Sequence, residues 1–116
     1  MLKLKLMRQY RIDGLLPRDH KKLDTYLKAH FEPSPLRNIF WVELDRDILT
    51  ETQKKHTACH PHVFALELEK TFLSCELLVR IKKSIKCDCM GYATEKQRKW
   101  FIEKIDAILE KLHVAA

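Results

Sequence analysis

The sequence predicts an α+β fold in which a mainly antiparallel sheet packs against helices in two layers. Two observations support this prediction. Apolar and polar residues alternate through most of residues 62–90, which is the pattern of half-buried strands. Apolar residues instead recur every three or four positions in residues 17–31 and near the C-terminus, which is the pattern of amphipathic helices. The predicted order is β-α-β-α-β-β-(β)-α, and 116 residues fit a single domain spanning 1–116.

The N-terminal part of the chain predicts a strand followed by a helix. Residues 2–12 alternate with period two, and the dipeptide Asp13-Gly14 marks a turn after them. Pro17 suits the first turn of a helix, and residues 17–31 then show helical spacing of their apolar side chains. The two prolines that follow end this helix, because proline lacks the backbone N–H that a helix needs. This first β-α-β unit is expected to add one parallel strand pair.

The next two segments predict a strand and a weaker helix. Residues 38–44 read NIFWVEL, and apolar residues in both phases indicate a strand that is covered on both faces. The alternative is that one of these faces packs against another subunit. Residues 45–59 predict a helix, within which the spacing of Thr50 and Gln53 matches a capping box.

The alternating stretch from about residue 62 to 90 predicts an antiparallel meander. A hairpin turn at residues 70–71 places Leu66 opposite Cys75 and His62 opposite Val79. In this register the apolar pairs fall on one face of the hairpin. A slip of one residue would move all of them to the other face, so the pattern specifies the register.

The C-terminal part of the chain predicts one more strand and the strongest helix. The third strand of the meander would start near Ile85 and place Cys87 opposite Val79, on the core face. Thr94 and Gln97 form a second capping box. The apolar stripe that follows is wide, so we expect the last helix to lie across the core face of the meander.

Composition excludes several classes of protein. The chain has only two glycines, so it lacks the glycine-rich loops that hold phosphates, and no nucleotide cofactor is expected. No apolar run approaches the roughly 20 residues that span a bilayer, and the N-terminal MLKLKLMRQYR lacks the unbroken apolar segment of a signal peptide. We therefore expect a cytoplasmic protein without a membrane partner, whose four cysteines are thiols or metal ligands rather than disulfides.

Histidines and cysteines at two places in the chain predict a candidate metal site. The first group reads His56-x-x-Cys59-His60-x-His62, and the second reads Cys87-x-Cys89. The predicted ligands are Cys59, His60, His62, Cys87 and Cys89. Zinc prefers such ligands and iron is the alternative, although the spacing matches no standard zinc motif. The competing interpretation makes Cys75, Cys87 and Cys89 small buried apolar residues, with His56 and His60 at the surface.

Basic residues gather at one end of the predicted hairpin: Arg80, Lys82, Lys83 and Lys86. Together with a formal net charge of +6, they suggest contacts to the phosphates of a nucleic acid. The competing interpretation is that lysines protect a sheet edge from aggregation. The aromatic residues fall mostly in the core phase, which does not favour stacking on nucleobases.

Apolar residues on the second faces of the strands predict a surface for association: Ile39, Trp41, Val63 and Leu78. A two-fold homodimer is the commonest assembly built from such a patch. No residue set matches a catalytic motif. We therefore expect a small cytoplasmic binding or interaction protein that self-associates and is not an enzyme. Metal binding and nucleic-acid binding are the alternative functions.

Overall fold

A computed structural model, which describes residues 8–82 and 87–114, shows an antiparallel sheet with helices packed against one face. Within these residues there are seven strands: β1 (Gln9–Asp13), β2 (Glu32–Pro33), β3 (Ile39–Glu43), β4 (His62–Leu68), β5 (Phe72–Glu76), β6 (Leu78–Ile81) and β7 (Gly91–Tyr92). The described residues also form three α-helices: α1 (Pro17–His30), α2 (Glu51–Lys55) and α3 (Glu95–Lys111). The predicted two-layer α+β fold is confirmed.

The strands of the sheet follow the spatial order β1-β5-β4-β3-β2, and β6 pairs with both β4 and β7. Every strand pair among the described residues is antiparallel, so the parallel pair expected from the first β-α-β unit is not found there. The reason is that β3, the strand predicted to follow the first helix, pairs with β2 and β4, whereas β1 pairs with β5 at the other side of the sheet. Residues 2–7 of the predicted first strand lie outside the described residues.

The predicted register of the hairpin is confirmed near its turn and wrong at its far end. Leu66 lies opposite Cys75, as expected. His62, however, lies opposite Ile81, two residues beyond the predicted Val79. The chain bends at Leu77, whose N–H donates to the Arg8 carbonyl and whose own carbonyl accepts from the N–H of Ala93. Both backbone groups of Leu77 are therefore hydrogen-bonded to residues next to β1 and β7 and not to β4. Between the Leu66–Cys75 pair and the His62–Ile81 pair, this segment contains two more residues than β4 does.

The third strand of the meander is also displaced along the chain, by four residues. Val79 pairs with Gly91 of β7, whereas Cys87 was expected at that position. Cys87 instead begins a tight turn in which the N–H of Met90 donates to its carbonyl at 3.0 Å. Ile85, which belonged to the predicted strand, lies outside the described residues.

The two long helices cover the core face of the sheet. Helix α1 agrees with the predicted range and buries Leu23 and Leu27 completely. Helix α3 begins after the predicted Thr94 cap and stacks Phe101 on Phe64 of β4, with ring centroids 4.2 Å apart. In the part of the chain that is described, no helix combines the length and apolar character needed to cross a membrane.

The single helix predicted over residues 45–59 is wrong, because this segment is divided into three short pieces. Two 3₁₀ turns, Arg46–Ile48 and Thr57–Cys59, flank the five-residue α2. The predicted capping box at Thr50 and Gln53 is confirmed. A capping residue needs extended backbone dihedrals, which Thr50 shows at φ −72° and ψ 166°, so a helix cannot run through it.

Candidate metal centre

The end of α2 places one imidazole and one thiol on the same side of the chain. His56 follows the last residue of α2, and Cys59 ends the 3₁₀ turn after it. The N–H of Cys59 donates to the His56 carbonyl at 2.9 Å, which closes this turn. The Nδ1 atom of His56 lies 3.1 Å from Sγ of Cys87, so the imidazole faces the second cysteine group.

The turn before β7 supplies the other two thiols, and together the two segments form a compact set of ligand atoms. We call this set the Cys/His cluster: His56, Cys59, Cys87 and Cys89. Its four ligand atoms all lie within 4.8 Å of one another. Tetrahedral zinc with Zn–S bonds of about 2.3 Å places neighbouring sulfurs about 3.8 Å apart. The ligand atoms of the cluster are therefore close to the spacing of a tetrahedral zinc site.

The two thiols of the turn have different electrostatic environments. The backbone N–H of Cys89, followed by its side chain, lowers the pKa of the Cys87 thiol, and His56 acts in the same direction. Burial raises the pKa of the Cys89 thiol to about 12, with a further contribution from the neighbouring Cys87. A bound dication deprotonates a coordinating thiol, so zinc binding would overcome this preference for the neutral form.

Two buried glutamines anchor the turn that contains Cys87 and Cys89. The side-chain amide of Gln53 donates to the Cys89 carbonyl at 3.1 Å. The amide of Gln97 in turn donates to Oε1 of Gln53 at 2.8 Å and to the Ile48 carbonyl at 2.9 Å. Each glutamine also completes the capping box of its own helix. The starts of α2 and α3 are thereby connected to the cysteine turn by buried hydrogen bonds.

His60 and His62, which the sequence suggested as ligands, lie outside the Cys/His cluster. The Nε2–H of His60 donates to the Gln53 carbonyl at 2.8 Å, so this nitrogen is occupied. His62 is 2% exposed, and its Nε2 lies 3.4 Å from Sγ of Cys89. Burial, followed by the nearby His60 and His56, lowers the pKa of His62.

The structure therefore groups the three predicted cysteine ligands with a histidine that was not among the five. The motif His56-x-x-Cys59 already contained this histidine, and the spacing favours it as a ligand because residues three apart at a helix end share a side. The fourth cysteine, Cys75, is fully buried between β1 and β4, and burial raises the pKa of its thiol.

The basic residues suggested for nucleic-acid binding are engaged with carboxylates where the structure describes them. Arg80 donates two hydrogen bonds to Glu76, at 2.7 and 3.1 Å. Lys82 forms an ion pair with Glu32. Lys83 and Lys86 lie outside the described residues. The described half of this basic group is thus paired with carboxylates and does not form an open cationic surface.

The face of the sheet opposite the helices forms an open groove of about 500 Å³. Three of the residues suggested for association line it, and they are Ile39, Trp41 and Leu78. The fourth, Val63, is completely buried and contributes no accessible surface. The expectation that β3 is covered on both faces is wrong for the described residues, because Ile39 and Trp41 are only half-buried.

The groove also contains charged side chains and exposed apolar ones. We call it the outer groove, and its remaining lining is Arg8, Gln9, Leu36, Ala65, Glu67, Ser74, Glu76, Arg80 and Tyr92. Leu36 is 64% exposed and Tyr92 is 43% exposed. Burial raises the pKa of Glu67, to which its neighbour Glu69 also contributes.

The chain matches no known protein family, and no curated protein or solved structure is significantly similar to it.

Proposed function

We propose that the protein binds one zinc ion through the Cys/His cluster. The single observation that supports this function is the convergence of three thiols and one imidazole within 4.8 Å. Three cysteines with one histidine form a standard donor set of structural zinc sites. Because cytoplasmic thiols stay reduced, the cytoplasmic location suggested by the sequence would keep this donor set available for metal.

The arrangement favours a structural role for the metal over a catalytic one. Four protein ligands close a tetrahedral zinc ion, whereas catalytic zinc sites keep one position for water. The ligands come from two segments about 30 residues apart in the chain, the α2–β4 connection and the turn before β7. Zinc would therefore fasten two short irregular segments, each with little regular hydrogen bonding of its own, to the edge of the core.

The proposal predicts one zinc ion per chain in protein purified under reducing conditions without chelator. Elemental analysis measures the zinc and iron content directly. Replacing one cluster ligand, as in Cys87→Ser or His56→Asn, is expected to reduce zinc occupancy strongly, because three ligands hold zinc more weakly than four.

Two matched variants serve as controls for this experiment. Cys75→Ala removes the one cysteine outside the cluster, and His60→Asn removes a neighbouring imidazole whose nitrogen is already bonded to Gln53. Both are expected to keep one zinc per chain. Wild-type protein without bound metal, or equal losses in the control and cluster variants, would contradict the proposal.

A second candidate function, self-association through the outer groove, is supported by its exposed apolar lining. An isologous contact must be self-complementary. The lining contains side chains of both charges, such as Arg8 and Glu67, beside apolar residues, which is the composition that such a contact needs. Sedimentation equilibrium tests the proposal, and a strictly monomeric protein over the whole concentration range would exclude it.

A further inference from the structure

His62 lies next to Cys89 of the Cys/His cluster and is one of the most buried polar residues of the described chain. It is 2% exposed and faces the core from β4. Its Nε2 lies 3.4 Å from Sγ of Cys89, which is within hydrogen-bonding distance for sulfur. Its Nδ1 is buried and has no hydrogen-bond partner among the described residues.

This asymmetry between the two ring nitrogens determines which tautomer fits the site. A neutral imidazole has one N–H donor and one bare acceptor nitrogen. With the proton on Nδ1, a buried N–H would remain unpaired, and two lone pairs would face each other across the contact with a Cys89 thiolate. With the proton on Nε2, the N–H points at the sulfur and only a lone pair is left without a partner. The second arrangement costs less, because it leaves one ring nitrogen without a partner instead of two and adds a hydrogen bond to the sulfur.

We propose that His62 is a positioning residue for the metal, and that its Nε2–H donates a hydrogen bond to the Cys89 thiolate. This inference rests on the proposed zinc site. Hydrogen bonds of this kind orient metal ligands and tune their charge. His62 thus takes a role in the site different from the direct ligation that the sequence suggested.

The charge of the site explains why such a donor is needed. Three thiolates and one neutral imidazole around Zn²⁺ leave a net charge of −1, and buried charge requires hydrogen-bond donors. Cys89 is 3% exposed, so water supplies little of this stabilisation. Cys87 is only half-buried, so water can still reach its sulfur. The His62 imidazole is the donor that lies against the buried sulfur of Cys89.

The first test uses wild-type protein loaded with zinc, so it does not depend on any variant folding. Long-range ¹H–¹⁵N correlation spectra of the histidine rings report which nitrogen carries the proton. The expected result is the Nε2–H tautomer for His62, with neither nitrogen bound to metal. An Nδ1–H tautomer, or a metal-bound His62 nitrogen, would overturn the inference.

The second test compares His62→Phe with His62→Gln after loading with Co²⁺ and, separately, with Zn²⁺. Phe keeps a buried ring without a donor, whereas the Gln amide places an N–H near the Nε2 position. For His62→Phe we expect zinc affinity to fall roughly 10- to 100-fold. The sulfur-to-cobalt charge-transfer band should also move to lower energy, because the thiolate loses a hydrogen bond. His62→Gln should restore most of the zinc affinity and return the charge-transfer band most of the way to its wild-type energy.

The two tests separate this inference from the zinc proposal. Wild-type protein that binds no zinc would end the zinc proposal itself. Wild-type protein that binds zinc, with a charge-transfer band and affinity unchanged in His62→Phe, would overturn the role of His62 alone. Should His62→Phe fail to fold, the tautomer in the zinc-loaded wild type decides the matter.

Discussion

At the scale of single residues, Tyr10 connects the edge strand β1 to the helix layer. Its hydroxyl donates to Oδ1 of Asp106 in α3 at 2.6 Å. This hydrogen bond, followed by burial and the charge of Asp106, raises the pKa of Tyr10 from 10.0 to about 12. The folded state therefore favours the neutral phenol. The bond adds stability that is complete below pH 10 and is lost as the pH rises through about 12.

This prediction is checked by following phenolate absorbance and unfolding in parallel. Asp106→Asn should bring the pKa of Tyr10 back toward 10.0. Tyr10→Phe should lower the free energy of unfolding by about 1 kcal/mol near neutral pH, which is the usual net value of such a bond. The difference between Tyr10→Phe and the wild type should disappear above pH 12. If the difference in free energy of unfolding between Tyr10→Phe and the wild type stays constant through the alkaline range, the bond does not couple the ionisation of Tyr10 to stability.

At the scale of elements, the five-residue helix α2 depends on its neighbours, because a helix this short is not stable alone. Gln53 is the connecting side chain, with hydrogen bonds to Thr50, Gln97 and Cys89. We expect Gln53→Met, which keeps the size but removes the amide, to lower the free energy of unfolding by about 2 kcal/mol. It should also weaken zinc binding, because the Cys89 carbonyl loses its donor.

A double-mutant cycle isolates the bond between the two glutamines. Gln97→Met alone breaks the same bond from the other side, so the two substitutions should not be additive. Chemical denaturation of both single variants and the double variant measures the coupling, which we expect to exceed about 0.5 kcal/mol. Additive effects would mean that the two capping boxes are independent.

The sequence pattern predicted the elements better than it predicted their pairing, and the physical reason lies in the period of a strand. Side chains alternate every two residues, so a shift by an even number leaves every residue on its original face. The pairing of His62 moved by two residues and that of Val79 by four, and neither shift disturbs the alternation. An apolar pattern excludes a one-residue slip and cannot detect these displacements.

The candidate site was predictable in its cysteines and not in its histidine. Cys59, Cys87 and Cys89 can be recognised as possible metal ligands from the sequence, whichever strands their segments pair with. The choice between His56 and His60 depends on backbone geometry where α2 ends, at a residue with φ −86° and ψ 66°. The apolar pattern predicted an unbroken helix over residues 45–59, so it could not indicate that the helix ends before His56. The inward phase of His62 was predicted, and this phase places it beside Cys89.

At the scale of the whole molecule, the sheet has one face covered by helices and one face that contains the outer groove. A two-fold contact there would bury side chains that are now exposed, and burying one leucine contributes about 1.5 to 3 kcal/mol. Two exposed leucines allow a matched test, since Leu36 lines the groove and Leu16 lies outside it at the start of α1.

We expect wild-type protein to show a concentration-dependent monomer–dimer equilibrium in sedimentation experiments. Leu36→Glu should raise the dissociation constant roughly 10- to 100-fold, because it replaces apolar contact with a charge that must be desolvated. Leu16→Glu makes the same chemical change at a residue that is 48% exposed and should leave the equilibrium unchanged. If both variants weaken the dimer equally, a different surface holds it together. If Leu36→Glu has no effect, the outer groove is not the dimer interface.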